Sequence, residues 1–591
     1  MARSFVGIDL GTTHTALAFA ADDAAGSAVE IASLSIPQRV ARDLVEARVL
    51  LPSVVRLGAG AGDGDSLPWG ATDHSVGEFA KQELAVVPGR VVASSKSWLV
   101  HRSVDRRAPL LPASADEGVA KVSPVASARA IFEHLVGAWR ASRGDELGSH
   151  DVVVTVPASF DAVARELTVE AARDAGLAQV TLLEEPQAAF YAWMDRLGDK
   201  WRKELHVGDR VLVVDVGGGT TDFSLLRVAD EGGNLVLERV AVGDHLLLGG
   251  DNVDLALAQI ARGKLEAQGK TIEGAQLAAL VGLARAAKEA LLAADAPESF
   301  PVALAARGAK LMGGTLRTEL TRDEVRAVAV DGFFPLVEAA ARPLQRVRSG
   351  LAQLGLPYAS DSAISRHLAA FLASHAAEGA SAMPTAVLFN GGVFKAAALR
   401  ERVIEQLGRW AGELGVAAPR VLPGEDLDLA VSRGAAAFAR ARAGRGVRIR
   451  GATVVSYYVG IEDASPAVPG MDPPIHALCI APQGMEEGSR AALPTDSIGV
   501  VVGETVQLRF FVSSSRKGDR VGALFEHRDG RDDLVELAPL RVHFASTQFP
   551  PGEVVAARFE SEVTDLGMLV LRARTATGEA FQVDLAVRDA S

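Results

Sequence analysis

One short phrase occurs twice in this chain. Phe5-Val6-Gly7-Ile8-Asp9-Leu10-Gly11-Thr12-Thr13 is echoed by Leu212-Val213-Val214-Asp215-Val216-Gly217-Gly218-Gly219-Thr220-Thr221-Asp222. Each copy reads as a buried apolar strand that ends at an Asp, turns through glycine and presents hydroxyls. A second apolar run follows each, Ala16 to Phe19 and Phe223 to Leu226. The two aspartates stand 206 residues apart, too far for a solenoid period and suited to duplicated halves. Two glycine turns facing one another across a cleft can grip a polyphosphate and its metal. Glycine lets backbone N–H groups approach phosphate oxygens without an intervening Cβ. Mg²⁺ keeps several of its waters and sits beside one or two carboxylates, an outer-shell role that suits Asp9 and Asp215. One Asp-x-Gly-Thr alone is an ordinary turn; two at matching places carry the functional reading.

The 591 residues allow several domains, each with its own core. A net charge of −13 argues against general affinity for nucleic acid or anionic membranes. Cys479 is the only cysteine, so neither a disulfide framework nor a Cys-based zinc site can form, and a reducing compartment fits. Its apolar surroundings mark it as a small core residue rather than a nucleophile. No long apolar stretch precedes Asp9 and no uninterrupted apolar run reaches spanning length. The expectation is a cytoplasmic protein that engages neither membrane nor nucleic acid.

From residue 1 to about 440, apolar strands alternate with Ala-rich amphipathic stretches, the mark of an α/β domain. Strands are expected at Val152–Val156 and Ala386–Phe389. Helices are expected at Ala162–Ala175, Leu255–Ala267, Leu277–Ala294 and Ala396–Leu407. Gly58–Asp65 is low-complexity and reads as a surface loop. Gly269-Lys270-Thr271 mimics the end of a Walker loop, but Lys264 stands where that motif needs glycine, so it reads as a loop after a helix. Beyond an Arg-rich connector the character changes. From Val454 on, short alternating runs (Val500–Phe511, Glu553–Phe559, Gly567–Ala573, Phe581–Val587) predict a separate all-β domain. The expected division is 1–440 for the nucleotide-binding domain, 441–453 for a linker and 454–591 for the β-domain.

Several further segments occur in an order that resembles the 70-kDa heat-shock chaperones. They are Val152-Val-Val-Thr-Val-Pro157-Ala-Ser-Phe160 with Arg165, Leu183-Glu-Glu185-Pro186, and Val76-Gly-Glu-Phe-Ala-Lys through Ser95-Lys96-Ser-Trp-Leu. Val242-Gly-Asp244 through Gly249-Gly250-Asp251, Leu388-Phe-Asn-Gly391-Gly392, and Asp428-Leu-Ala-Val431 complete the set. The resemblance covers most of residues 1–440. It implies a two-lobed actin-like (ribonuclease H-like) ATPase domain followed by a smaller β-sandwich that binds peptide. It also implies ATP or ADP with Mg²⁺ as cofactors.

Carried over by position, Asp9 and Asp215 hold Mg²⁺ through water. Gly11, Thr12, Thr13, Gly217, Gly218, Gly219 and Thr220 cradle phosphates. Gly249, Gly250, Lys288, Gly391, Gly392 and Asp428 complete the nucleotide site. Lys96 reaches the γ-phosphate, while Glu185, Asp215 and Asp222 orient the attacking water and the metal shell. Pro157 and Arg165 link nucleotide state to the second domain. Implied partners are unfolded or extended polypeptides, a J-domain cochaperone and a nucleotide-exchange factor.

The sequence also departs from the family. Its adenosine helix carries Glu, Lys, Arg and Ser, where this chain has Arg285, Lys288, Glu289 and Leu292. The Gly-Gly-Ser segment becomes Gly391-Gly392-Val393, followed by Phe394-Lys395. The connector is basic rather than acidic and leucine-rich, and the helical lid is expected to be missing. Two rivals to an ATP-driven chaperone therefore stand: a nucleotide-gated scaffold with little turnover, and an actin-fold small-molecule kinase.

Overall fold

The computed structural model describes residues 3–585 apart from 23–29, 59–62, 85, 102, 114, 116–117, 232–233, 244–245, 273–274, 306–314, 346–355, 357, 376–382, 424–425, 446–452, 454, 464–472, 486–487, 494–497, 514, 517, 529–532, 538–539, 547 and 565–568. Much of the expected linker and part of the Gly58–Asp65 loop lie outside the described residues. The chain divides into two compact units, residues 1–235 with 241–448, and 449–591 with 236–240.

The first unit contains two sheets of matching order. In one, Val180–Glu184, Asp151–Val156, Ser4–Leu10, His14–Ala21 and Ala32–Ser33 lie side by side. In the other, Arg420–Val421, Ala386–Asn390, Arg210–Val216 and Thr221–Glu231 lie side by side. In both, the strand ending at the repeated Asp is antiparallel to its successor. In both it is also parallel to a later strand, Phe5 facing Asp151 and Val211 facing Ala386. The duplicated phrase is therefore duplicated topology. These central strands are apolar on both faces because helices cover them, as parallel pairing requires. Helix Ala430–Arg442 lies directly on Ser4–Leu10, where a Cβ on Gly7 would collide with the Ser432 carbonyl oxygen. Only glycine admits that approach.

Helix ends follow local chemistry. Asp161 caps Ala162–Asp174 by accepting from Ala164 N–H at 2.7 Å. The helix expected from Leu255 begins earlier, at Gly250, because Asn252 reaches back to the Gly249 N–H at 2.9 Å and closes the first turn. It ends at Ala267, and Gly269 follows with φ +77°, so the Walker mimic is a helix stop.

The second unit is all β among its described residues. One sheet has the order Leu524–Glu526, Ile475–Ala481, Ser456–Glu462, Phe510–Ser513, Val535–Glu536. The other runs Arg490–Ala492, Val554–Val563, Leu569–Thr575, Ala580–Leu585, with Gly499–Val501 also on Val554–Val563. Tyr457, Ile480 and Phe510 from the first sheet share one core with Leu569, Ala573 and Phe581 from the second. The neighbours Tyr458, Cys479 and Phe511 point to the opposite face, the period-two alternation of a strand. The Val500–Phe511 run is three strands rather than one, broken in part at Gly503, whose φ of +73° no strand accommodates.

Candidate functional site

A cavity of about 520 Å³ opens between the two sheets of the first unit. The two glycine turns form its floor. They interlock: a Cβ on Gly218 would strike the Thr13 methyl, and one on Gly219 would stand 2.7 Å from the methyl of Thr12. The turn at Gly11 is equally tight, with the His14 carbonyl where a Cβ would be.

Four ionisable groups converge beside these turns. Asp9, at the end of its strand, accepts from the Thr155 hydroxyl at 3.0 Å. Asp215, at the matching position, accepts from the Asn390 amide at 2.7 Å. Lys96 is buried and ion-paired with Glu185. Lys96 sits on the short helix Ser95–Trp98, preceded by Ser94 in the left-handed conformation at φ 54°. A non-glycine residue there is strained, and such strain is typically held where a side chain must be aimed. Glu185 opens helix Glu185–Leu197, and Pro186 fits its first turn.

The carboxylates are crowded. Burial, then the nearby charge of Glu185, pushes Asp9 up to about 7. The same two causes, in the same order, raise Asp215 well above its ordinary value. A divalent cation close to both would relieve the repulsion. Among the described residues no group of three or more His, Cys, Asp or Glu is placed to chelate a metal. The donor set fits an ion that keeps water and phosphate oxygens in its shell.

Gly11, Thr12, Thr13, Gly217, Gly218, Thr220, Gly250, Lys288, Gly391, Gly392 and Asp428 also line the cavity. Gly391 has φ +87°, and a Cβ there would come within 2.7 Å of Asp215 Oδ1. Gly219 and Gly249 stand behind the lining, Gly249 packed on the carbonyls of Gly217 and Gly218. Asp222 faces Asp215 across the strand pair and accepts from Ser159 Oγ at 2.7 Å; it is buried outside the cavity wall. Pro157 and Arg165 are outside it too. Arg165 bonds the carbonyls of Ala158 and Phe160 and pairs with Glu184 at 2.9 Å, one residue before Glu185.

The far end of the cavity holds the departures seen in the sequence. Arg285 bridges Asp251 at 2.5 Å and the fully buried Asp254 at 2.7 Å, and Lys288 pairs with Asp254 at 2.7 Å. Glu289, Leu292 and Val393 line the wall, and Lys395 pairs with Asp428 at 2.5 Å. Sequence reasoning did not select Thr155, Asn390, Asp254 or Ser94. Asn390 had a signal, since it occupies the position after Phe389 that faces Asp215 in register. Asp254 had one as well, lying one turn from Asp251 on the same helix face.

A family model described as "Hsp70 protein" matches residues 66–350. The protein called "Chaperone protein HscA homolog" of Burkholderia pseudomallei (strain 668) is 32% identical over 354 residues, 58% of this chain and 49% of that protein. Its namesake from Acidovorax sp. (strain JS42) is 31% identical over 342 residues, 56% and 47% of the two chains. The chain thus spans about half the length of the curated relatives it matches. No helix among the described residues is long and apolar enough to cross a membrane.

Proposed function

We propose that this chain, which matches the Hsp70 family model over residues 66–350, is an ATP-dependent, chaperone-like protein whose first unit hydrolyses ATP slowly and whose second unit binds polypeptide. In this reading the two matching sheets are the lobes of an actin-like ATPase, and the β-unit is the peptide-binding sandwich. The observation that carries it is the convergence of Asp9, Asp215, Glu185 and Lys96 with both glycine turns on one cavity.

The backbone N–H groups of Gly11–Thr13 and Gly217–Thr220 hold the phosphates, helped by the threonine hydroxyls. Asp9 and Asp215 would hold Mg²⁺, which would supply positive charge against the phosphates. Lys96 leaves Glu185 for the γ-phosphate and stabilises the charge that builds there as the bond breaks. Glu185, once released, orients the attacking water. Asp222 fixes the neighbourhood of Asp215 through Ser159. Arg165, tied to Glu184 and to carbonyls of the segment after Pro157, couples the site to the rest of the molecule.

Clients would be extended or unfolded polypeptides, with a J-domain protein and an exchange factor as helpers. A scaffold with little turnover is the second reading. It is favoured by one observation: Arg285 is committed to Asp251 and Asp254, so the base end of the cavity is a closed ion network. Steady-state ATPase activity measured with and without an unfolded peptide separates the two. Turnover stimulated by peptide supports the chaperone; nucleotide binding without turnover supports the scaffold.

A further inference from the structure

A hairpin near the N-terminus serves no part of the nucleotide cavity wall on its outer strand. Ile36–Ala41 and Leu44–Arg48 form a two-stranded sheet joined by Arg42 and Asp43, and among the described residues Leu44–Arg48 has no second strand neighbour. Every residue from Ala41 to Val49 is exposed. Leu44, Val45 and Val49 are exposed to 49%, 39% and 42%, three large apolar side chains open to water on one short strand and its end. An exposed apolar edge strand is a template for pairing, and proteins normally blunt it.

The register says which groups face outward. Pro37 faces Ala47 and has no N–H, so this pair exchanges no ladder hydrogen bonds. The bonded positions are therefore Ile36 with Arg48 and Gln38 with Glu46. The N–H and C=O groups of Val45 and Ala47 are left directed away from the hairpin. Outward-facing backbone of this kind is free to bond to a further strand.

The side chains specify which strand. Two copies of this edge placed antiparallel about Ala47 bring Ala47 against Ala47, Val45 against Val49 and Glu46 against Arg48. The exposed valines meet, and each carboxylate meets a guanidinium. Within one copy, Glu46 and Arg48 lie 2.8 Å apart on one face and both stay about half exposed, so both remain reachable. Shifting the register by one residue loses the charge pairs and turns the valines to opposite faces.

From this self-complementary pattern we infer that the outer strand Leu44–Arg48 is a homodimer contact, joining two copies of this chain edge to edge about a two-fold axis. Its occupant is a second copy because charge, apolar positions and bonding parity all match in a single register. A single strand pair buries little surface, so the association is weak, with Kd on the order of 100 µM. It leaves the nucleotide site of each copy complete.

The test is sedimentation velocity on the 591-residue chain across a concentration series. Wild type is expected to self-associate reversibly. Ala47→Pro removes the central N–H at a solvent-facing position where proline is tolerated, and is expected to weaken association about ten-fold or more. Glu46→Arg and Arg48→Glu should each be monomeric alone, since like charges then face each other. Mixed together they restore opposite charges at both positions and should associate as wild type does. Circular dichroism of each variant establishes that it is folded. A wild type that stays monomeric overturns the inference. So does association that survives both charge reversals, or two monomeric variants that fail to associate when mixed.

Discussion

A Cβ on Gly219 would stand 2.7 Å from the Cγ2 methyl of Thr12, so the two glycine turns are in contact before any ligand arrives. One residue earlier the fit is closer still, with the Thr13 methyl in the place of a Cβ on Gly218. By contrast, the nearest atom to a Cβ on Gly217 is the Thr220 carbonyl oxygen at 3.7 Å, an ordinary contact. Gly218→Ala is therefore expected to separate the turns and weaken ATP binding about ten-fold or more, while Gly217→Ala costs less than about three-fold. Calorimetric titration of both variants checks this. Equal losses would contradict the interlock.

Lys96 and Glu185 form a buried pair, and removing one partner strands the other charge. Lys96→Ala should slow single-turnover hydrolysis by at least about a hundred-fold, as loss of a positioned charge stabiliser does. It should also lower the stability of the nucleotide-free protein by roughly 3 kcal/mol. Adding Glu185→Gln to that variant should recover most of the stability and none of the hydrolysis. Thermal melts and quenched single turnovers separate the two effects.

The repeated Asp-Gly-Thr phrase made the cavity floor legible in the sequence because its chemistry is local. Five to ten residues contain the strand, the turn and the hydroxyls. Asp9, Asp215 and both turns were assigned on that basis, and the structure brings them to one cavity. The ion network of Asp251, Asp254, Arg285 and Lys288 was not legible, because its partners lie on two helices and only packing brings them together. The strained Ser94 could not be read either, since nothing about serine announces positive φ. Asp222 shows the reverse limit. The resemblance gave it shared duty with Asp215, and the two do face one another in register, yet Asp222 accepts from Ser159 Oγ and does not line the cavity. The three-strand division of Val500–Phe511 was hidden because alternation of apolar and polar residues resumes after the turn at Gly503, so the pattern alone does not mark the breaks.

His134 is buried on helix Pro124–Arg143, its Nε2 at 2.9 Å from the Pro37 carbonyl. Burial lowers its pKa to about 4 from an ordinary 6.5. The unfolded chain then binds the proton more readily than the folded one. The stability this residue contributes is complete above about pH 6.5 and is lost as pH falls towards 4, up to about 3 kcal/mol. Urea unfolding of wild type and His134→Gln between pH 7 and pH 4 should show a shallower acid limb in the variant. Parallel limbs would contradict the assignment.

Cys479 is fully buried in the β-unit, and burial pushes its thiol up to about 12. A neutral, inaccessible thiol is inert. A thiol reagent at pH 8 should leave the native protein unmodified and label it fully in denaturant. Rapid stoichiometric labelling of the native protein would contradict the packing of this unit.

The central claim is that the paired turns and the two repeated aspartates clasp a magnesium–triphosphate. Titration calorimetry of the full chain with ATP, with and without Mg²⁺, tests it most directly. The account predicts one-to-one binding that requires Mg²⁺ and is lost in Asp9→Asn and in Asp215→Asn while each variant stays folded. Binding that ignores the metal, or survives either substitution unchanged, would contradict it.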